Sequence, residues 1–323
     1  MPTAVQIRRT GGPAVLEAGE VEVGDPGPGE LLVDVAAAGV NYIDTYQRSG
    51  IYKIDLPVTL GMEGAGTVVA AGEGVTGFAA GDRVAWQGVL GGYAQQARIP
   101  ASAAVAVPEG VSLETAAATM LQGVTAHYLV RSTYEVQEGD TILLHAAAGG
   151  VGLLLTQLAK ARGARVIGTV STAEKAALAR EAGVDEVIRY DQVDFAEEVR
   201  KLTGGEGVAA VYDGVGKSTF DGSLASLRVR GFLVLFGAAS GPVPPVDPQR
   251  LNAAGSVYLT RPTSAHYVRT RDELEWRTNE LFEAVTSGAL KVRVGAKYAL
   301  SDAAKAHEDL QGRRTTGKVL LIP

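Results

Sequence analysis

The chain has 323 residues, 30 of them Lys or Arg and 36 Asp or Glu, for a formal net charge of −6. Hydrophobic residues make up 46% and charged residues 20%, which excludes a disordered chain, and an acidic balance supplies no global basic field for non-specific nucleic-acid binding. There is no cysteine, which excludes disulfides, thiolate catalysis and every cysteine-containing zinc site.

The first third reads as short strands between turns. Ala4–Arg8 is a predicted strand stopped by Gly11-Gly12-Pro13. Asp25-Pro26-Gly27-Pro28-Gly29 is a turn signal ahead of the apolar run Leu31–Val40. Gly64–Ala71 and Arg83–Trp86 follow, the latter entered through Gly81-Asp82. This spacing predicts a small barrel-like β domain. After Pro108 the pattern changes, and Leu113–Glu135 has helical spacing. Strands at 141–146, 165–170, 186–190, 208–212 and 232–236 then alternate with helices at 151–162, 172–182, 194–202 and 218–227. Apolar strands alternating with amphipathic helices predict a doubly wound parallel sheet. The chain ends with a helix at 271–287 and strands at 291–299 and 318–322, able to fold back on the first domain.

The most informative segment is Thr141–Gly152, where a strand ends in Ala146-Ala147-Ala148-Gly149-Gly150-Val151-Gly152 and opens a helix. Such a loop presents bare N–H groups and a helix N-terminus to a pyrophosphate. Gly149 permits close backbone approach, and Gly152 lets the helix pack near the strand. The pattern is A-x-x-G-G-V-G, with the first glycine of G-x-G-x-x-G replaced by Ala146. The second strand ends in Gly168-Thr169-Val170-Ser171-Thr172, without the acid that grips the ribose of NAD. Lys175 lies one turn further on. Hydroxyls and a lysine suit a 2′-phosphate, so NADPH is expected over NADH. Ser171 or Thr172 can also simply cap the helix.

Other motifs carry less. Gly216-Lys217-Ser218 imitates the end of a P-loop, but Val211 stands where its first glycine belongs. No G-x-S-x-G element supports a serine hydrolase. The four histidines, His127, His145, His266 and His307, form no HExxH or other close pair, and no metal site is expected. His145, at a strand end, is expected to be a buried hydrogen-bonding residue. The N-terminal stretch lacks an apolar signal core, and no run of 18 uncharged apolar residues exists, so a cytoplasmic protein without a membrane span is expected.

Several ordered motifs point further: Ala38–Tyr46, Gly61–Gly66, Gly81–Val84, Ala146–Gly152, Tyr212–Gly216, Tyr258–Pro262 and Gly317–Pro323. Through them the chain resembles, over its whole length, the zinc-free medium-chain dehydrogenase/reductases, in particular NADPH:quinone oxidoreductases of the zeta-crystallin type. The resemblance implies a GroES-like catalytic domain at 1–123 and 267–323, with a Rossmann domain at 124–266. It implies a cofactor in the cleft between them and a homodimer formed through the Rossmann sheets, where the strand around Val257–Thr260 could be the paired edge. Zinc alcohol dehydrogenases of the superfamily carry a cysteine where this chain has Asn41 and a histidine where it has Met62. An amide and a thioether do not replace thiolate and imidazole at zinc. Glu63 is then expected to be a buried hydrogen-bonding carboxylate.

The expected chemistry is hydride or single-electron transfer from NADPH to a quinone, with charge developing on the quinone oxygen. Asn41, Tyr46 and Tyr52 are the candidate catalytic residues, as donors or orienting groups, and Asn41 and Tyr46 also border the nicotinamide. Asn41 could instead cap a short helix, and the tyrosines could wall a cleft. By matched motif, Tyr128, Gly149, Gly150, Val151, Gly152, Ser171, Thr172, Lys175 and Tyr190 would line the adenosine and pyrophosphate side. Gly214, Phe236, Gly237, Ala238, Thr260, Arg261 and Pro262 would border the nicotinamide side, and Arg313, with Arg314 next to it, could reach the phosphates. One alternative is NADPH-dependent reduction of a 2-alkenal or enoyl thioester. Another is an NADPH-regulated RNA-binding or crystallin-like protein, against which the net charge of −6 counts.

Overall fold

The structure, a computed structural model, describes residues 1–323. The chain forms two compact units, Met1–Val124 with Val268–Pro323, and Thr125–Tyr267.

The first unit opens with β1 (Thr3–Ile7), β2 (Glu17–Glu20), β3 (Glu30–Val40), α1 (Tyr42–Ser49), β4 (Val58–Thr59), β5 (Glu63–Ala71), β6 (Arg83–Gln87), β7 (Gln96–Pro100) and β8 (Ala104–Ala106), and the boundary at Val124 falls within α2 (Leu113–Tyr128). The second unit contains β9 (Thr141–Leu144), α3 (Gly150–Ala161), β10 (Arg165–Val170), α4 (Ala173–Glu181), β11 (Glu186–Arg189), α5 (Phe195–Leu202), β12 (Val208–Asp213), α6 (Phe220–Ala225), β13 (Leu227–Leu235), α7 (Gln249–Ala253) and β14 (Tyr258–Thr260). The first unit closes with α8 (Arg271–Thr286), β15 (Val294–Ala299), α9 (Ala303–Gln311) and β16 (Lys318–Ile322).

In the first unit a seven-stranded sheet runs β15-β16-β3-β5-β6-β8, with β7 also paired to β3, and a three-stranded sheet runs β2-β1-β4. Strand alternation sends successive residues of β16 to opposite cores. Val319 and Leu321 join Val33, Val40, Trp86 and Ile99, while Leu320 joins Ala37, Ala65, Ala117, Met120 and Phe282. Each of the valine, leucine, isoleucine, methionine and phenylalanine side chains contributes roughly 1.5–3 kcal/mol by leaving water.

The second unit is a six-stranded parallel sheet in the order β11-β10-β9-β12-β13-β14. Renumbered from its own first strand, this is 3-2-1-4-5-6, the doubly wound dinucleotide-binding order. Its strands are apolar because helices cover both faces; Leu143, Ile167, Val211 and Leu233 are all buried, against Phe220 and Leu224 on one side.

Several boundaries differ from the sequence reading. The helix expected over 113–135 ends at Tyr128 and continues as a π-helical turn, Leu129–Thr133. The first parallel strand stops at Leu144, because Ala146 takes a left-handed φ of 52° and turns the chain. The helix expected at 218–227 is only Phe220–Ala225, and the strand expected from Phe232 begins at Leu227, five residues earlier than its apolar core, with a register shift in its pairing. The strand expected from Lys291 begins at Val294, and α9 had no counterpart in the sequence reading.

Candidate functional site

In the second unit, β9 delivers its glycine loop into α3. Gly149 is the N-cap of α3 and has no side chain to bond the first turn. A helix start of this kind holds an anion through its N–H groups and the positive end of its dipole. A Cβ at Gly152 would stand 2.8 Å from Ala147 Cα and closer still to the Ala146 carbonyl, so only glycine fits there. Gly150 and Val151 form the first turn of α3.

The neighbouring strand β10 ends beside this loop, with the Ala147 N–H donating to the Thr169 carbonyl at 3.1 Å. Thr172 caps α4, its Oγ1 accepting from the Lys175 N–H at 3.2 Å. The capping role considered for this hydroxyl is therefore real, and its own hydrogen stays available to a ligand. The Tyr190 N–H donates to the Val170 carbonyl at 3.2 Å, which sets Tyr190 next to Ser171 and leaves its side chain exposed. Ser171, Thr172, Lys175 and Tyr190 thus converge on the end of one strand.

The third loop of this unit is built on Asp213. Its buried carboxylate accepts from the N–H groups of Val215 and Gly216 at 2.8 and 2.9 Å and from Thr219 and Ser223 hydroxyls at 2.7 Å. A Cβ at Gly214 would lie 2.8 Å from the Phe236 ring, and one at Gly237 would lie 2.9 Å from Gly214 Cα. Gly214, Phe236, Gly237 and Ala238 therefore form one tight cluster. His145 supports it from below: Nε2 lies 2.9 Å from Ser223 Oγ and Nδ1 lies 2.8 Å from Thr169 Oγ1. Burial pushes the His145 pKa down, in keeping with a neutral hydrogen-bonding ring. Thr260 ends β14 opposite Val234, with Arg261 exposed and Pro262 buried beyond it. Tyr128 is buried and stacks on Tyr267 with centroids 4.3 Å apart.

In the first unit, three strands bring together residues far apart in sequence. The β16–β3 register pairs Val319 with Val40, and β3–β5 pairs Ala38 with Gly64, so Lys318, Asn41 and Glu63 meet at one end of the sheet. Glu63 and Lys318 are 0% and 1% exposed and form an ion pair. Glu63 also accepts from Asn41 Nδ2 at 2.5 Å and from the Leu121 N–H at 2.7 Å, which bears out its reading as a buried hydrogen-bonding carboxylate. Asn41 Oδ1 accepts from Lys318 Nζ and Gln122 Nε2, each at 3.0 Å. The amide orientation is fixed by its partners, since an ammonium only donates and a carboxylate only accepts. The Asn41 amide nitrogen is engaged inward, donating to Glu63 and, at 3.4 Å, to the Gly39 carbonyl. Asn41 is also the N-cap residue of α1, its N–H donating to Asp44 Oδ2 at 2.7 Å.

The helix that Asn41 opens carries Tyr46, whose ring meets Tyr52 edge-on at 5.4 Å and Tyr42 at 6.3 Å. Tyr46 is 9% exposed and Tyr52 is 40% exposed. Met62 accepts from Gln47 Nε2 at 3.3 Å. Near the C-terminus, Arg314 is tied to Asp309 at 2.6 Å, whereas the exposed Arg313 takes a left-handed φ of 56°. Neither Lys318 nor Gln122 is among the candidate site residues of the sequence analysis. The signal for both was a polar residue inside an otherwise apolar segment, Lys318 ahead of Val319–Ile322 and Gln122 within α2.

Comparison with known proteins agrees with this architecture. Residues 27–109 match the alcohol dehydrogenase GroES-like domain and residues 150–277 match the zinc-binding dehydrogenase family. The chain is 47% identical to quinone oxidoreductase 1 of Escherichia coli, with 100% of both chains covered. It is 42% identical to a 2-haloacrylate reductase of a Burkholderia species, covering 100% of this chain and 99% of that one. A mycobacterial protein solved in complex with NADPH superposes with a TM-score of 0.97 at 56% identity, covering 99% of this chain and 100% of that one. The chain belongs to the quinone oxidoreductase family of medium-chain dehydrogenase/reductases.

Proposed function

We propose that the chain is an NADPH-dependent quinone oxidoreductase that works without zinc. The observation that carries the cofactor is the end of the second parallel strand: Val170 is followed by Ser171 and Thr172 with no carboxylate, and Lys175 comes one turn on. The glycine start of α3 binds the pyrophosphate, and Ser171, Thr172, Lys175 and Tyr190 hold the 2′-phosphate and adenosine. Tyr128, Val151, Thr260, Arg261, Pro262 and Arg313 complete the cofactor contacts, and Gly214, Phe236, Gly237 and Ala238 wall its nicotinamide half.

Bound NADPH supplies the reducing equivalents. The protein contributes position and charge. The Tyr46 and Tyr52 hydroxyls donate to the quinone oxygen as negative charge develops there. Asn41, held by Glu63, Lys318 and Gln122, orients the start of α1 that presents Tyr46. Zinc does not fit these residues. Asn41 and Met62 are poor zinc donors, and the Lys318 ammonium, 3.0 Å from Asn41 Oδ1, already supplies the local positive charge. A homodimer forms along β14, an edge strand beside which Tyr258 and Val229 are 54% and 68% exposed.

The test follows loss of the reduced-nicotinamide absorbance with 1,4-benzoquinone and 9,10-phenanthrenequinone, beside NADH and 2-chloroacrylate. Turnover with NADPH and a quinone is the expected result. Turnover with 2-chloroacrylate alone would replace the reading by double-bond reduction, which the similarity to a 2-haloacrylate reductase makes the second candidate. Sedimentation of the same protein is expected to give twice the mass of one chain; a single-chain mass would overturn the dimer.

A further inference from the structure

Four buried side chains of the first unit have no part in the function proposed above, yet they form one continuous chain of hydrogen bonds. Arg48 Nη1 lies 3.2 Å from His307 Nδ1, and His307 Nε2 lies 3.0 Å from Tyr93 Oη. Tyr93 Oη donates to Asp44 Oδ2 at 2.8 Å, and the same oxygen accepts the Asn41 N–H at 2.7 Å. Arg48 is anchored at its far side by the Gly11 carbonyl at 3.1 Å and Gln311 Oε1 at 2.9 Å. All four side chains are at most 2% exposed.

The direction of every bond is dictated by chemistry. A guanidinium only donates, so His307 Nδ1 carries no proton. The ring hydrogen is then on Nε2 and goes to Tyr93 Oη, whose single hydrogen goes to Asp44. A buried arginine charge is thereby relayed through two neutral groups to a buried carboxyl. That carboxyl is the third residue of α1 and holds the backbone of Asn41. Its other oxygen, Oδ1, is buried without a protein partner, so a proton taken up by the carboxyl sits there and weakens Oδ2 as an acceptor.

We propose that Asp44 is a positioning residue for quinone reduction, its ionised form fixing the Asn41–Tyr46 segment, with Tyr93 and His307 setting how readily it ionises. The proposal rests on the quinone reading above. Burial pushes the Asp44 pKa up to about 7, while the Asn41 N–H and the Tyr93 hydroxyl pull it down. Glu63 on β5 pushes it further up and Lys318 on β16 pulls it down. Burial and the Arg48 charge hold His307 down at about 3, so it stays a neutral relay. Removing the Tyr93 hydroxyl therefore moves the Asp44 midpoint upward, and the active, ionised fraction at neutral pH falls.

The experiment measures kcat/KM for a quinone against pH at saturating NADPH, in the wild type and in Tyr93→Phe, His307→Phe, His307→Gln and Asp44→Asn. Carbon-13 NMR of aspartate carboxyls, with Asp44→Asn assigning the resonance, follows the same titration without turnover. Wild-type activity is expected to rise with pH through a midpoint shared with the Asp44 carboxyl. Tyr93→Phe and His307→Phe move both midpoints up by about one unit, a loss of about fivefold at pH 7. His307→Gln restores the wild-type profile, because its amide can accept from Arg48 and donate to Tyr93. Asp44→Asn abolishes the inflection. A carboxyl midpoint that moves while the kinetic profile stays flat overturns the positioning role. Wild-type protein that reduces no quinone overturns the function proposed above, and the spectrum then decides the hydrogen-bond chain alone: a midpoint unmoved by Tyr93→Phe sinks it.

Discussion

At the scale of single residues, what a side chain could do was legible where its partners are local. Lys175 and Thr172 are three positions apart, and the cap they form follows from helix-start chemistry. The proposed 2′-phosphate contact gives a direct prediction. Lys175→Ala should weaken NADPH binding by about tenfold, the worth of one charge-assisted contact of roughly 1.5 kcal/mol, and leave NADH nearly unchanged. Fluorescence titration with both cofactors checks it, and equal losses would remove the assignment. Asn41 shows the opposite case. The sequence suggested a donor for substrate, but its partners Lys318 and Glu63 lie 277 and 22 positions away, and no local pattern announces them.

Elements add constraints that no residue carries alone. Gly39 looks like one more glycine in an apolar strand, yet a Cβ there would stand 2.5 Å from both Glu63 Cδ and Lys318 Cε. Its absence makes room for a buried ion pair across the strand. Gly39→Ala is expected to destabilise the chain by about 3 kcal/mol or more, from overpacking and from parting buried charges. Gly19→Ala on β2, with nothing within 4 Å, should change stability by less than about 0.5 kcal/mol. Urea unfolding of the two variants decides the matter, and equal midpoints would show that the sheet accommodates the methyl group. The strand and helix types along the parallel sheet were readable from apolar periodicity, whereas their ends were not. Leu227 closes the helix expected at 218–227, and Arg228–Gly231 falls in neither predicted element, but in space Leu227 lies beside Val208 and the segment is drawn into the sheet.

At the scale of the whole molecule, the buried hydrogen-bond chain predicts an uneven response to acid. His307 titrates at about 3 in the fold against an ordinary 6.5, because burial and Arg48 oppose its charge. The unfolded chain therefore takes up a proton that the fold refuses, and stability is lost as pH falls from 6.5 toward 3. Asp44 has the opposite sign: raised from 3.8 to about 7, it costs stability as pH rises through that window. His307→Gln removes the first contribution and keeps the second. Between pH 7 and 4.5 the variant should lose up to about 3 kcal/mol less than the wild type, read as urea midpoints at the two pH values. Parallel acid responses would mean that His307 becomes charged inside the fold.

The class of fold, the dinucleotide loop and the family are all legible along the chain. Each is written in short-range patterns: apolar runs of period two and three to four, glycines where backbone must approach backbone, and an acid missing at a strand end. Which polar groups meet is settled in the folded molecule alone. Glu63 with Lys318, Asp44 with Tyr93 and His307 with Arg48 are joined across 255, 49 and 259 positions by sheet register and helix packing. The free energy of burying a charge depends on what surrounds it in space, and the order of residues along the chain does not contain that surrounding until the chain is folded.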